Sequence, residues 1–173
     1  MKEKKIDAIL LAAGYSTRLY PLTKNFPKPL LEVGGKPVIT NIIEKIEDLK
    51  EINKIYVVTN NRYYGHFVEW KTKLNTGLDI EIINDGTLHE EDKLGAIGDI
   101  NLVLNSRDID SDVLIIAGDN LFSSSLNPLC NYFKRKNENV IVLDELPTME
   151  QAKRYGVVDL DRDSKIISFI EKP

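Results

Sequence analysis

Short apolar runs alternate along the chain with longer segments in which apolar residues recur every three or four positions. Runs of four to eight apolar residues predict strands buried on both faces, and the second pattern predicts amphipathic helices. The predicted strands are residues 6–12, 54–59, 78–83, 113–117, 140–143, 156–160 and 165–170. The predicted helices are residues 36–49, 62–74, 94–104 and 127–136. This alternation predicts an α/β fold of the doubly wound kind, with a mostly parallel (mixed) sheet and helices on both faces.

Helical spacing also predicts which side chains face the sheet. Tyr63, Phe67 and Trp70 share one side of the second predicted helix, where we expect them to pack against strands. In the third helix, Ile97, Ile100 and Leu104 fall on one side. We therefore expect an apolar inner face there as well.

Length and charge narrow the class of protein. The chain has 173 residues, a formal net charge of −4 and a pI near 5.3. It is long enough for one domain with a real core, and the acidic balance argues against a nucleic-acid or anionic-membrane surface. One cysteine and two histidines permit neither an internal disulfide nor a Cys/His zinc cluster. No apolar run approaches the ~20 residues of a membrane span, and a cytoplasmic location is the prediction.

The segment 10–31, LLAAGYSTRLYPLTKNFPKPLL, fits either a phosphate site after the first strand or a strand-to-loop turn whose arginine and lysine are solvated. The small residues that end at Gly14 allow close backbone approach, and N–H groups of a turn can cradle phosphate oxygens. Arg18 offers a planar fork that suits a phosphate. Lys28 lies between two prolines, whose fixed φ angles predefine its position.

A second polar turn, Gly118-Asp119-Asn120, follows the predicted strand 113–117. In an open α/β sheet, ligands bind beyond the carboxyl ends of the strands. Carboxylate and amide oxygens are ligands that Mg²⁺ accepts. By itself the segment fits a plain turn as well as a ligand site, and in both cases Asp119 lies at the carboxyl end of a predicted strand.

The first segment resembles the signature LAAGxGTRLxPLTxxxPKPLL of the sugar-1-phosphate nucleotidylyltransferases over about twenty contiguous positions. The departure is Ser16, which stands where the family most often has a second glycine. The resemblance implies a Rossmann-like nucleotidyltransferase fold in which the nucleotide contacts the backbone of Leu11, Ala12, Ala13 and Gly14. It also implies that Arg18 and Lys28 bind phosphates and stabilise the transition state, with Asp119 as a catalytic residue and ligand of Mg²⁺.

Two further segments are similar to the family's motifs. Tyr155-Gly156-Val157-Val158 and the closing Phe169-Ile170-Glu171-Lys172-Pro173 resemble YGVV and FxEKP, which imply that Gly156, Glu171 and Lys172 face the sugar phosphate. Residues 84–99 are similar to the region that reads the base in the family, and the resemblance implies that Gly95 takes the place of the family's glycine at a helix start. The family's glutamine is absent, and Asn84 is the expected substitute.

The resemblance implies an enzyme that couples a nucleoside triphosphate to a sugar-1-phosphate and releases pyrophosphate, with Mg²⁺ as cofactor and a homo-oligomer as a possible assembly. A phosphocholine cytidylyltransferase is the alternative acceptor class, and a non-catalytic nucleotide-binding module is the alternative from outside enzymes. The sequence stops within the last motif, before the family's second metal-binding aspartate. We therefore expect a single nucleotidyltransferase domain over residues 1–173 that is truncated at its carboxyl end.

Overall fold

The computed structural model describes residues 5–173, apart from the side chain of Met149. The strands are β1 Ile6–Leu11, β2 Glu32–Val33, β3 Lys36–Pro37, β4 Ile52–Thr59, β5 Ile80–Asn84, β6 Asp112–Ala117, β7 Gly156–Leu160 and β8 Ile166–Glu171. The α-helices are α1 Val38–Glu47, α2 Tyr64–Lys73, α3 Gly95–Ser106, α4 Asn127–Lys136 and α5 Met149–Ala152. The chain divides into a larger unit that ends at Cys130 and a smaller unit, Asn131–Pro173.

The larger unit is built on a four-stranded parallel sheet of order β5-β4-β1-β6. Its two faces are both covered, because neighbouring residues of β1 belong to different apolar clusters. Ala8 and Leu10 pack with α1 and α2, whereas Ile9 packs with Val103 of α3. The structure thereby confirms the mostly parallel sheet with helices on both faces.

The inner face of α2 is as the spacing predicts. Tyr63, Phe67 and Trp70 are all buried, and the indole N–H of Trp70 donates to the hydroxyl of Thr40 in α1 at 2.9 Å. This aromatic face joins the two helices on the same side of the sheet.

The inner face of α3 differs from the prediction. Ile97 is 79% exposed and Leu104 is 45% exposed, whereas Asp99 and Val103 are buried. The helix is rotated so that a carboxylate, rather than an isoleucine, lies toward the sheet. Apolar spacing alone could not reveal this, because both faces of the helix carry apolar residues.

The smaller unit contains an antiparallel pair, β7 with β8, in which Gly156 lies opposite Glu171. The strand predicted at residues 140–143 is wrong, since these residues form no regular structure. Ile141, Val142 and Leu143 are exposed, so within this unit they lack the neighbouring strand that an apolar run needs. Among residues 5–173, no helix is both long and apolar enough to cross a bilayer.

Candidate active site

The carboxyl ends of β1 and β6 lie side by side, because the two strands are neighbours in the sheet. The N–H of Gly118 donates to the carbonyl oxygen of Leu11 at 2.8 Å. A Cβ at Gly118 would lie 3.0 Å from that oxygen and 3.2 Å from Cβ of Ala12. A side chain at residue 118 would therefore crowd the end of β1, and Gly118 lets Asp119 follow close to the Leu11–Gly14 backbone that is predicted to contact the nucleotide.

Lys28 reaches Asp119 across this edge of the sheet. The ammonium Nζ lies 2.7 Å from Oδ2 of Asp119, and both side chains are 37% exposed. Lys28 opens a short 3₁₀ turn, Lys28–Leu30, whose other residues Pro29 and Leu30 are buried. The buried turn holds the backbone, so that the lysine side chain projects toward the end of β6.

The loop that follows β1 is held in an uncommon conformation. Ser16 has φ of +50° and lies in the left-handed region, where glycine is favoured. Its carbonyl oxygen accepts from the hydroxyl of Thr23 at 2.8 Å and from the N–H of Leu19 at 3.0 Å. Arg18 lies in the short turn that follows and is exposed. A serine thus takes a backbone angle that favours glycine.

Asn60, which was not singled out from the sequence, is buried and holds this loop through hydrogen bonds. It follows β4, its amide donates to the carbonyl of Ala13 at 2.9 Å, and its Oδ1 accepts from the N–H of Tyr63. The Tyr63 hydroxyl donates to the carbonyl of Thr23 at 2.8 Å. A polar residue directly after a buried strand was the available signal, as it was for Asp119.

Residues at and just after the end of β5 contact the loop that follows β1 and the residues after β4. The hydroxyls of Tyr15 and Thr87 lie 3.0 Å apart, and Thr87 donates through both its N–H and its hydroxyl to Oδ1 of Asp85. The Asn84 amide donates to Oδ1 of Asn61, while its own Oδ1 accepts from the N–H of Gly86. Both ends of the Asn84 amide are thus engaged by protein groups.

Two carboxylates, Asp85 after β5 and Asp99 in α3, lie in surroundings that disfavour their ionised forms. Burial, followed by the negative charge of Asp85, raises the pKa of Asp99 to about 6. Burial also raises the pKa of Asp85. Oδ2 of Asp85 and Oδ1 of Asp99 are buried without a hydrogen-bond partner. Neither residue was singled out from the sequence.

Gly95 is the first residue of α3 and has φ of +74°, a backbone angle that favours glycine. Gly95 is exposed, and a Cβ there would meet nothing within 4 Å. The space above Gly14 is open in the same way. Both glycines therefore leave room for a ligand against the backbone.

The residues at the end of β6 fit a magnesium ion bound together with phosphates. No three carboxylate, histidine or cysteine side chains among the described residues are grouped as metal ligands. Mg²⁺ in nucleotide enzymes is usually bound through one or two carboxylates, and substrate phosphates complete its shell. Asp119 supplies such a carboxylate, whose Oδ2 faces Lys28 here.

In the smaller unit, the three residues expected to face a sugar phosphate lie at one end of the β7–β8 pair. A Cβ at Gly156 would lie 2.7 Å from the Phe169 ring and 3.1 Å from Oε2 of Glu171. The N–H of Lys172 donates to the carbonyl of Tyr155 at 2.9 Å, and its ammonium lies 3.2 Å from Oε1 of Glu171. The hairpin therefore groups Gly156, Glu171 and Lys172 as one polar cluster.

Comparison with known proteins decides the family. The model of the nucleotidyl transferase family matches residues 7–173, which is almost the whole chain. The chain belongs to the nucleotidyl transferase family.

Curated relatives in this family are longer than the chain. The Bifunctional protein GlmU of Methanococcus vannielii is 32% identical over 180 residues, which cover 97% of this chain and 36% of that protein. The UTP–glucose-1-phosphate uridylyltransferase AglF of Haloferax volcanii is 29% identical over 97% of this chain and 65% of its own length. The chain thus spans about a third of the first of these relatives.

Solved structures agree with the fold. A crystal structure from Bacillus anthracis, assigned as a glucose-1-phosphate thymidylyltransferase, matches with a TM-score of 0.76 at 26% identity. The match covers 97% of this chain and 65% of that one. Members of the family are nucleotidyltransferases, and the names of these two relatives differ in the nucleotide, uridylyl in one and thymidylyl in the other.

Proposed function

We propose that the chain binds a nucleoside triphosphate at the carboxyl edge of its parallel sheet and transfers the nucleotidyl group to a sugar-1-phosphate, with release of pyrophosphate. The observation that carries the proposal is the convergence of three groups at one point. The backbone of Leu11 and Ala12, the carboxylate of Asp119 and the ammonium of Lys28 meet through the Gly118 contact and the 2.7 Å ion pair.

The reaction needs little covalent chemistry from the protein. An oxygen of the acceptor phosphate attacks the α-phosphorus, a new P–O bond forms, and the bond to the β-phosphate breaks. Pyrophosphate leaves with the electron pair of that bond. A phosphate monoester is already anionic near neutral pH, so no protein nucleophile or strong base is required. Catalysis then consists of positioning and charge stabilisation.

Each site residue has a part that its position supports. The open backbone at Gly14 admits the triphosphate, and the exposed fork of Arg18 clamps its outer oxygens. Lys28 offsets the charge that gathers between the α-phosphate and the leaving pyrophosphate. Asp119 would hold Mg²⁺, which supplies a Lewis acid to the phosphates when bound. Lys28 must exchange its present partner, Asp119, for a phosphate oxygen as the nucleotide binds.

The acceptor we favour is a sugar-1-phosphate rather than phosphocholine. The supporting observation is the polar cluster of Gly156, Glu171 and Lys172, which offers a carboxylate for hydroxyl groups and an ammonium for a phosphate. Phosphocholine has no sugar hydroxyls for such a carboxylate to accept. Cytoplasmic location and self-association stay predictions.

Identification of the product tests this proposal. The chain is incubated with Mg²⁺, one of the four ribonucleoside triphosphates or dTTP, and one acceptor from a panel of sugar-1-phosphates and phosphocholine. We expect a nucleoside diphosphate sugar by mass spectrometry, formed from one preferred pair. A cytidine diphosphate choline product would assign the alternative acceptor. Nucleotide binding without any product would assign a binding module.

A further inference from the structure

The buried carboxylates Asp85 and Asp99 point to a ligand that the proposed function leaves unnamed. Asp99 is 5% exposed, and its Oδ1 has no hydrogen-bond partner. Oδ2 of Asp85 is buried and also has no partner. An ionised carboxylate accepts hydrogen bonds and cannot donate them, so each of these oxygens requires an N–H or O–H group from elsewhere.

The two carboxylates lie at the nucleotide edge of the sheet. Asp99 is one turn beyond Gly95 on α3, and its side chain leans toward the start of the helix. One turn further on, Val103 packs over β1, β4 and β5. Asp85 directly follows β5, and its N–H donates to the carbonyl of Thr59 at the end of β4. The pair therefore lies where the strands end.

A chain of contacts links the pair to the backbone of the phosphate loop. Asp85 accepts from Thr87, whose hydroxyl lies 3.0 Å from that of Tyr15, the neighbour of Gly14. Asp85 is thereby connected through two hydrogen bonds to the loop that carries Gly14. Burial, followed by the negative charge of Asp85, raises the pKa of Asp99, as expected for a buried carboxylate whose neighbours include another carboxylate.

The chemistry of the cluster favours an organic donor over a metal ion. No third carboxylate, histidine or cysteine joins the pair as a metal-ligand group in the part of the chain that is described. Among the nucleobases, guanine presents adjacent donors, N1–H and the 2-amino group, along one edge. Uracil and thymine flank their single N–H with two carbonyl oxygens, which two carboxylates repel. Adenine and cytosine each place a ring-nitrogen acceptor beside the amino group.

We propose that Asp99, together with the free oxygen of Asp85, accepts hydrogen bonds from N1–H and the 2-amino group of guanine, so that the triphosphate substrate is GTP. This rests on the proposed function, because it deepens the same site. Names within the family include both uridylyl and thymidylyl transferases, so membership alone does not determine the base.

The base reaches these oxygens when the short turn Glu90–Asp92 moves. The turn lies in the segment that joins Thr87, which contacts both Asp85 and Tyr15, to Gly95 at the start of α3. Leu88, His89 and Glu91 are exposed, and the segment is flanked by Gly86 and Gly95, both at positive φ. A segment with few buried side chains between two glycines is able to shift at low cost.

Nucleotide affinities on the unmodified chain provide the first test. Calorimetry with Mg²⁺ and GTP, ITP, UTP, CTP or ATP is expected to show GTP binding at least about tenfold more tightly than the others. ITP is the sharp comparison, because it differs from GTP only by the missing 2-amino group. Equal affinity for GTP and ITP, or a preference for another base, would overturn the inference and leave the proposed function standing. No binding of any triphosphate would overturn both.

Asp99→Asn provides the second test. An amide at residue 99 donates as well as accepts, so GTP should bind about 10- to 100-fold more weakly. Xanthosine triphosphate has a carbonyl oxygen where guanine has its 2-amino group, and it should regain affinity. The exposed Asp110→Asn is the matched control and should bind GTP normally. A folded Asp99→Asn chain, checked by circular dichroism, with unchanged preference for GTP over xanthosine triphosphate would contradict the inference.

Discussion

Individual side chains at the sheet edge are held in conformations that cost stability. Ser16 takes a left-handed backbone angle, and Asp99 is buried with an oxygen that lacks a partner. Such residues persist where the surrounding structure determines them, and they cluster at sites that bind ligands. Asn60 shows the opposite case, since both ends of its buried amide are satisfied. The loop after β1 is thus stabilised by Asn60 at the end of β4, whereas Asp85 and Asp99 each retain an unsatisfied acceptor oxygen.

Asp99→Asn is expected to stabilise the fold at neutral and alkaline pH. The pKa of Asp99 is raised to about 6 from 3.8, so between these values the folded chain binds more protons than the unfolded one. The carboxylate therefore lowers the free energy of unfolding as pH rises from about 4 to about 6, and the full penalty applies above that range. Removing the charge should add about 1–3 kcal/mol at pH 8.

Urea unfolding of Asp99→Asn and of the unmodified chain at pH 5 and pH 8 measures this effect. The gain from the substitution should be larger at pH 8 than at pH 5. Asp110→Asn serves as the control, because this exposed residue should change stability little at either pH. A gain that is equal at both pH values would show that ionisation of Asp99 is not its source.

At the scale of elements, the apolar pattern predicted the sheet well and the polar interior poorly. Strands buried on both faces are continuous apolar runs, so β1, β4, β5 and β6 are legible in the sequence. The strand at residues 140–143 was wrong because apolar character does not supply a partner strand. The inner face of α3 was missed because Asp99 breaks the rule that buried positions are apolar.

The residues of the candidate site also fall into two groups, those that the sequence predicted and those that it did not. Lys28, Asp119 and the backbone before Gly14 were predictable, since their motifs and their places after strands are local features. Asn60, Asp85 and Thr87 were not singled out, because their roles depend on hydrogen bonds between segments that are far apart in sequence. Contacts of that kind become visible only when the strands are aligned.

Gly118→Ala tests the close approach of β6 to β1. A methyl group there would lie 3.0 Å from the carbonyl oxygen of Leu11, a backbone atom that cannot easily move. We expect a loss of about 1–3 kcal/mol in stability and weaker triphosphate binding, because Asp119 shifts with the strand end. Gly77→Ala is the control, since a Cβ there meets nothing within 4 Å. A Gly118→Ala chain as stable as this control would contradict the packing argument.

At the scale of the whole molecule, the chain consists of a unit built on the parallel sheet and a hairpin unit that carries its own polar cluster. Family membership extends across both, from residue 7 to residue 173. The relatives are longer, and GlmU of Methanococcus vannielii is matched over 36% of its length. We assign triphosphate binding to the larger unit and acceptor recognition to the hairpin.

Lys172→Ala tests this division of roles. If the hairpin ammonium binds the acceptor phosphate, the KM for the sugar-1-phosphate should rise about tenfold or more, while triphosphate affinity stays unchanged. Lys165→Ala, in the same hairpin, is the matched control, because its ammonium lies 3.8 Å from Glu138 in an exposed pair. Steady-state kinetics with each substrate varied in turn separates the two constants. Equal effects of the two substitutions would contradict the assignment.

The most direct test of the central claim is Mg²⁺-dependent pyrophosphate release by the unmodified chain, Lys28→Ala and the exposed control Lys50→Ala, with each triphosphate and a panel of sugar-1-phosphates. The account predicts release with the unmodified chain and the control, and a fall of about 100- to 1,000-fold in Lys28→Ala, because one preorganised charge at the reacting phosphate is lost. Release that is unchanged in Lys28→Ala, or absent from the unmodified chain with every pair of substrates, would contradict it.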